Sequence, residues 1–169
     1  MSKLPTVTGR DMRGVMSYPP TPALPGADQV EAQNTVDLVE TERMIRQLIA
    51  DGVDAIALNG TLGEMATLTL DEWKAFAECA VQTAHAVNPD FPIFVGSTTL
   101  STRETISRMR FLSELGATGT LLGRPMWGEM VAPVMEKFYR DVAEAVPEMA
   151  IVVYDNTAAF GGIIPRSVY

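Results

Sequence analysis

Cysteine occurs once in the 169 residues, as Cys79, and histidine once, as His85. An internal disulfide is therefore impossible, and a cytoplasmic location is the expectation that follows. One Cys and one His do not make a Cys/His zinc site, so no metal site is expected. A Ser-His-Asp triad would have to use His85, which ends a helical pattern instead of sitting in a strand-end loop. Positive charge is scarce: 13 Lys and Arg stand against 21 Asp and Glu, a formal net charge of −8. Nucleic acids and anionic membranes both reward clustered Lys and Arg, so neither is an expected partner. No apolar run approaches the roughly 18 residues that span a bilayer. The opening "MSKLPTVTGRDMRG" lacks the apolar stretch of a signal peptide. Neither G-x-x-x-x-G-K-[ST] nor G-x-G-x-x-G is present, which removes the two common nucleotide loops. No cofactor is expected.

What is present is an alternation. The apolar share of 47% suits a chain with a buried core, and the length suits one domain or part of a larger one. Short β-prone runs occur at 14–18 (GVMSY), 55–58 (AIAL), 92–96 (PIFVG), 120–123 (TLLG) and 150–156 (AIVVYDN). Helical patterns lie between them. Met44, Ile45, Leu48 and Ile49 share one face, and Gly52 sits where a C′ glycine ends a helix. Thr69-Leu70-Asp71-Glu72 is a capping box, followed by the stripe Trp73, Phe76, Ala77, Ala80 and Val81. Cys79 falls in that helix and reads as a buried structural thiol. Ser101 to Glu104 repeats the box ahead of Ile106, Met109 and Leu112, and that helix ends at Leu115-Gly116. A fourth helix starts near Pro133, with Val134, Phe138 and Val142 one turn apart. The Pro-rich stretch 17–29 (SYPPTPALPGADQ) is expected to replace the first crossover helix with a loop.

Continuous apolar strands at βαβ spacing mean an α/β protein with a parallel sheet covered on both faces. Five units can complete a flavodoxin-like sheet or form part of a (β/α)₈ TIM barrel, which takes about 250 residues. Length favours the first. The prolines disfavour it, because they occupy the place after the first strand where its ligand loop and helix belong.

In either architecture chemistry gathers at the C-terminal strand ends. Asn59-Gly60-Thr61-Leu62-Gly63-Glu64 offers free N–H groups and one hydroxyl, suited to a small carboxylate or to a plain tight turn. Gly123-Arg124-Pro125-Met126-Trp127 places an indole that either walls an apolar pocket or caps the core. Tyr154 ends a buried strand and either moves a proton or satisfies a backbone group. Gly96 to Thr99 reads as a helix-leading loop before a substrate contact.

The segments "ADGVDAIALNGTLGEMATLTLDEW", "FVGST" and "IVVYDN", in this order, resemble the dihydrodipicolinate synthase/N-acetylneuraminate lyase family, from Arg10 to Tyr169. "LNGTLGEMATLT" and "GRPMW" bring the chain nearest to the family's hydratase-aldolase branch, which acts in bacterial breakdown of polycyclic aromatics. The resemblance implies the N-terminal portion, about five βα units, of a (β/α)₈ TIM barrel in a homotetramer. Residues 1–13 are then an N-terminal segment, and 14–169 are those five units and the start of the next helix. It implies a pyruvate-dependent class I aldolase, working through a lysine Schiff base on a 2-oxo acid. In the hydratase-aldolase branch, water adds to a benzylidenepyruvate, which then splits into an aromatic aldehyde and pyruvate. Thr61 and the N–H of Leu62 are implied to hold the pyruvyl carboxylate, and Tyr154 to be the acid/base. Asn156, Trp127 and Asn59 face the aromatic end or position water, while Glu64 braces the loop. Leu62 departs from the second hydroxyl of many members, and Thr157 from their proline.

The family's lysine lies on the sixth strand. None of Lys3, Lys74 and Lys137 matches it. The expectation is a truncated portion of a larger enzyme, inactive by itself. Two other readings are a dihydrodipicolinate synthase or sugar-acid lyase of the same family, and a non-catalytic α/β binding or assembly module.

Overall fold

The computed structural model describes residues 7–128 and 130–169. Five parallel strands form one sheet: β1 (Met16–Ser17), β2 (Ala55–Leu58), β3 (Ile93–Gly96), β4 (Gly119–Leu122) and β5 (Ala150–Val153). Each pairs with its sequence neighbour, in the order β1-β2-β3-β4-β5. A doubly wound sheet reverses strand order at its switch point. This sheet never reverses, so it is an arc of a barrel, the N-terminal half of a TIM barrel.

Helices α1 (Leu38–Ala50), α2 (Leu70–Val87), α3 (Thr102–Leu115) and α4 (Ala132–Ala145) alternate with the strands, and a short α5 (Thr157–Phe160) follows β5. The proline-rich loop does not replace the first crossover helix, contrary to the sequence reading. Prolines keep the chain out of helix through residue 25. Asp37 then caps α1 by accepting from the Glu40 amide at 2.9 Å, and α1 makes the crossover. Gly52 sits past its end at φ +87°, in the left-handed region glycine tolerates.

Period-two alternation sorts the strand residues. Ile56, Leu58, Ile93, Val95 and Leu122 point outward into the main core, against Trp73, Phe76, Ala80, Met109, Leu112 and Phe138. Ala55, Ala57 and Phe94 point inward, with Met16, Ala150 and Val152 beside them. The inner face is open to a cavity of about 970 Å³.

The Thr69 capping box forms in both directions. Ser101 forms only half of one: it accepts from the Glu104 amide at 3.2 Å, while the Glu104 carboxylate takes Arg108 at 3.3 Å. On α4 the buried stripe is Met135, Phe138, Tyr139 and Val142, and Val134, at the edge of that stripe, is exposed. Cys79 is half-buried, its thiol toward the Leu38 carbonyl of α1 at 3.4 Å.

Glu72 does more than cap. Its carboxylate accepts from the amide and hydroxyl of both Thr35 and Thr69, at 2.7 to 2.9 Å. These bonds hold it at about 2, below the usual carboxylate range. The folded value lies under the unfolded one, so this stability is complete above pH 4.5 and is lost as pH falls toward 2. Thr69→Ala should cost about 1 kcal/mol in denaturant titration. Glu72→Gln should flatten the acid limb of the stability–pH curve.

Candidate active site

The loop after β2 turns sharply because two non-glycine residues take left-handed φ, Asn59 at +53° and Glu64 at +61°. A Cβ on Gly63 would stand 2.7 Å from the Asn59 backbone, so this position has to be glycine. The buried Asn59 amide donates to the Gly63 carbonyl at 2.8 Å, and the Thr21 hydroxyl donates to the same oxygen at 2.8 Å. Asn59 Nδ2 is thereby spent on the loop itself; the residue is 1% exposed, and its Oδ1 is buried with no partner among the described residues. Glu64 accepts from the Thr67 hydroxyl at 2.5 Å, the bracing role expected of it. The loop's closing amides are those of Gly63, Glu64 and Met65, which bond Gly60 and Thr61 carbonyls. The Leu62 amide makes no hydrogen bond among the described residues and stays open to a ligand.

The structure brings three of the sequence-derived candidates together. Thr61 Oγ1 lies 2.7 Å from Tyr154 Oη. Asn156 Nδ2 donates to both oxygens, at 3.0 Å each. Asn156 Oδ1 accepts from the Ala159 amide at 3.1 Å, which fixes which end of the side chain is the donor. With Asn156 donating to both hydroxyls, one hydroxyl proton bridges them and the other is free to point at a substrate. Burial of the Tyr154 phenol pushes its pKa up. The hydrogen bonds from the side chains of Thr61 and Asn156, and from the Thr61 backbone, outweigh this and hold it below the ordinary value. The Tyr154 ring is fixed edge-on against Phe160, with centroids 5.3 Å apart. The loop backbone also runs close to the ring: a Cβ on Gly60 would lie 3.2 Å from the Leu121 side chain and, at ordinary contact distance, 3.6 Å from the Tyr154 ring.

Leu62 and Trp127 are on this face of the sheet but are not packed into the cluster; they are 66% and 85% exposed. The Gly96 to Thr99 hydroxyls are spent internally. Ser97 bonds Thr120 at 2.7 Å, Thr98 accepts from the Gly123 amide at 2.8 Å, and Thr99 bonds Thr105 at 2.9 Å. Tyr18, at the end of β1, was not among the candidates read from the sequence. It lines the inner cavity, and burial, then charge on Tyr154, pushes its phenol up. Its only sequence signal was its place at the end of the weakest strand pattern.

Among the described residues, no group of three His, Cys, Asp or Glu side chains is placed to hold a metal ion. Lys74 lies over the Phe111 ring at 5.8 Å, and Lys137 pairs with Asp141 at 2.7 Å, both on the helical layer and away from Tyr154. Lys3 lies outside the described residues. Replacing Thr61 with Val should raise the Tyr154 titration midpoint, read by ¹³Cζ-tyrosine NMR, because a lowering hydrogen bond is lost.

Residues 23–162 match the model of the dihydrodipicolinate synthetase family. The chain is 44% identical over 165 residues to trans-2'-carboxybenzalpyruvate hydratase-aldolase of Nocardioides sp. (strain KP7), covering 98% of this chain and 49% of that protein. It is 45% identical over 164 residues to trans-O-hydroxybenzylidenepyruvate hydratase-aldolase of Pseudomonas putida, covering 97% and 49%. The solved structure of PhdJ bound to a substrate intermediate superposes with a TM-score of 0.91 at 45% identity, over 97% of this chain and 50% of that one. The chain thus spans about half the length of the relatives it matches.

Proposed function

Because the chain belongs to the dihydrodipicolinate synthetase family, we propose that it is the substrate-cradling half of a pyruvate-dependent aldolase-type lyase. The preferred reaction is hydratase-aldolase cleavage of a benzylidenepyruvate to an aromatic aldehyde and pyruvate. The observation that carries this reading is the Thr61–Tyr154–Asn156 cluster, a hydrogen-bonded phenol beside an open amide.

The Leu62 amide and the Thr61 hydroxyl hold the pyruvyl carboxylate. After water has added to the double bond, Tyr154 takes the proton from the new benzylic hydroxyl. The carbon–carbon bond breaks, its electron pair enters the iminium that lysine forms with the substrate's 2-oxo group, and the aldehyde leaves. The resulting enamine takes back the proton from Tyr154, and water hydrolyses the new iminium to pyruvate and the free amine. Tyr154 is suited to this exchange because its hydrogen bonds already stabilise the phenolate. Asn156 positions the phenol. Leu62 and Trp127, apolar and exposed, favour an aromatic substrate over a polyhydroxylated sugar acid, whose hydroxyls would find no donors on them. The amine lies outside the described residues, since neither Lys74 nor Lys137 is near the cluster. The intact protein is proposed to be a cytoplasmic homotetramer, with residues 14–169 forming one incomplete barrel domain.

A panel of aromatic and sugar-derived 2-oxo acids, assayed for pyruvate release by the intact protein, tests the substrate class; sugar acids as the better substrates would overturn it. Tyr154→Phe should lower kcat by roughly 10²- to 10⁴-fold. The 169-residue chain alone should release no pyruvate and form no adduct with pyruvate and borohydride.

A further inference from the structure

Arg124 is a charge that the proposed chemistry leaves without a role. It follows β4, is 3% exposed, and forms no ion pair among the described residues. Every cation of α1 and α4, by contrast, is paired with an acid about one turn away. Burying a guanidinium without a counter-charge is costly, so its hydrogen bonds have to compensate. Among the described residues its one acceptor is the Phe160 carbonyl, at the C-terminal end of α5, and its Nε is buried with no partner.

The surroundings are shaped for that bond. A Cβ on Gly123 would stand 2.5 Å from the Phe160 ring, and one on Gly162 would stand 2.9 Å from Arg124 Nη2. Both glycines clear space for the pair. The helix they hold is only four residues long, too short to keep its shape on its own backbone bonds. Yet both of its ends touch the phenol. Asn156, its N-cap, donates to the Tyr154 oxygen, and Phe160, its last residue, packs edge-on against the Tyr154 ring. Arg124 fastens the second end.

We propose that Arg124 is a positioning residue for Tyr154, acting through α5: the guanidinium fixes the Phe160 carbonyl, and the Phe160 ring and Asn156 amide together fix the phenol. Arg124 touches no reacting atom. Losing the pin leaves the bonds that shape the carboxylate loop intact, because those of Asn59 and Thr21 to Gly63 and of Thr67 to Glu64 involve neither α5, Arg124 nor Phe160.

The test is the titration of Tyr154 in the intact protein labelled with ¹³Cζ-tyrosine, its signal assigned with Tyr154→Phe. Arg124→Met should move the Tyr154 midpoint upward, toward that of free tyrosine, as the bonds from Thr61 and Asn156 loosen. Arg124→Lys, which keeps the charge and loses the planar fork, should restore it only in part. Phe160→Leu keeps the Arg124 bond and removes the ring; it should move the midpoint in the same direction. A folded Arg124→Met protein whose Tyr154 titrates as in the parent would overturn the proposal. If Arg124→Met does not fold, an unchanged midpoint in Phe160→Leu does so instead. These readings need no substrate, so they stand apart from the assigned reaction. In the assay that rests on that reaction, kcat should fall at least tenfold while KM changes less than about twofold. A fall confined to KM would also count against positioning.

Discussion

The 2.7 Å contact between Thr61 and Tyr154 joins the exit of β2 to the exit of β5, with two strands between them. In a flat sheet those exits would be about 14 Å apart, three spacings of roughly 4.8 Å. The contact therefore needs a sheet that curls toward its inner face and side chains that reach across. Small inner residues permit the curl. Ala55 and Ala57 line the inner face. A Cβ on Gly96 or Gly119 would stand about 2 Å from a neighbouring carbonyl, 2.1 Å and 2.2 Å respectively. Most bulky residues of these strands face the helices, where they form the main core, while Met16, Phe94 and Val152 lie on the inner face. Curvature, the choice of small inner residues and the assembly of the candidate site are one constraint seen at three scales.

The loop between β1 and α1 serves the site from outside. It is long and rich in proline, and it holds itself by a short antiparallel bridge between Ala23 and Val36. Thr35 fastens it to Glu72 on α2, and Thr21 fastens it to Gly63 in the site loop. The capping carboxylate of one helix thus anchors a strap that also steadies the loop after β2. Trp73, one residue on, donates its indole N–H to the Gly96 carbonyl at 2.9 Å and fixes the end of β3.

The strands, the helices and the site loop were legible because each is written locally. Apolar runs, the Thr69 box and the Asn59 to Glu64 turn announce themselves within a few residues. From the strand pattern the barrel arc was legible only as one of two options, since strand order depends on which neighbours pair; the family resemblance selected it. Tyr154 and Thr61 were legible as a pair through the family resemblance and not through spacing. Asn156 was read as facing the aromatic end or positioning water; that it also bonds both hydroxyls depends on Thr61, 95 residues away, which no local pattern displays. Asn59 shows a related limit: nothing local distinguishes an amide that closes its own loop from one that faces a ligand. Arg124 and Tyr18 depend on partners far along the chain, and no window of sequence displays them; the cap at Ser101 is half-made because Arg108, one turn on, takes the Glu104 carboxylate.

The bonds that shape the cradle loop are short in sequence: Asn59 to Gly63, Thr67 to Glu64, and, at 42 residues, Thr21 to Gly63. Its bond to Tyr154 spans 93 residues. At ribosomal speeds of about 5 to 20 residues per second, the loop emerges roughly 5 to 20 s before its tyrosine exists. All the partners that fix the loop's own shape are synthesised well before that. During synthesis the cradle is therefore an early landmark, and the tyrosine is a late arrival that docks onto it.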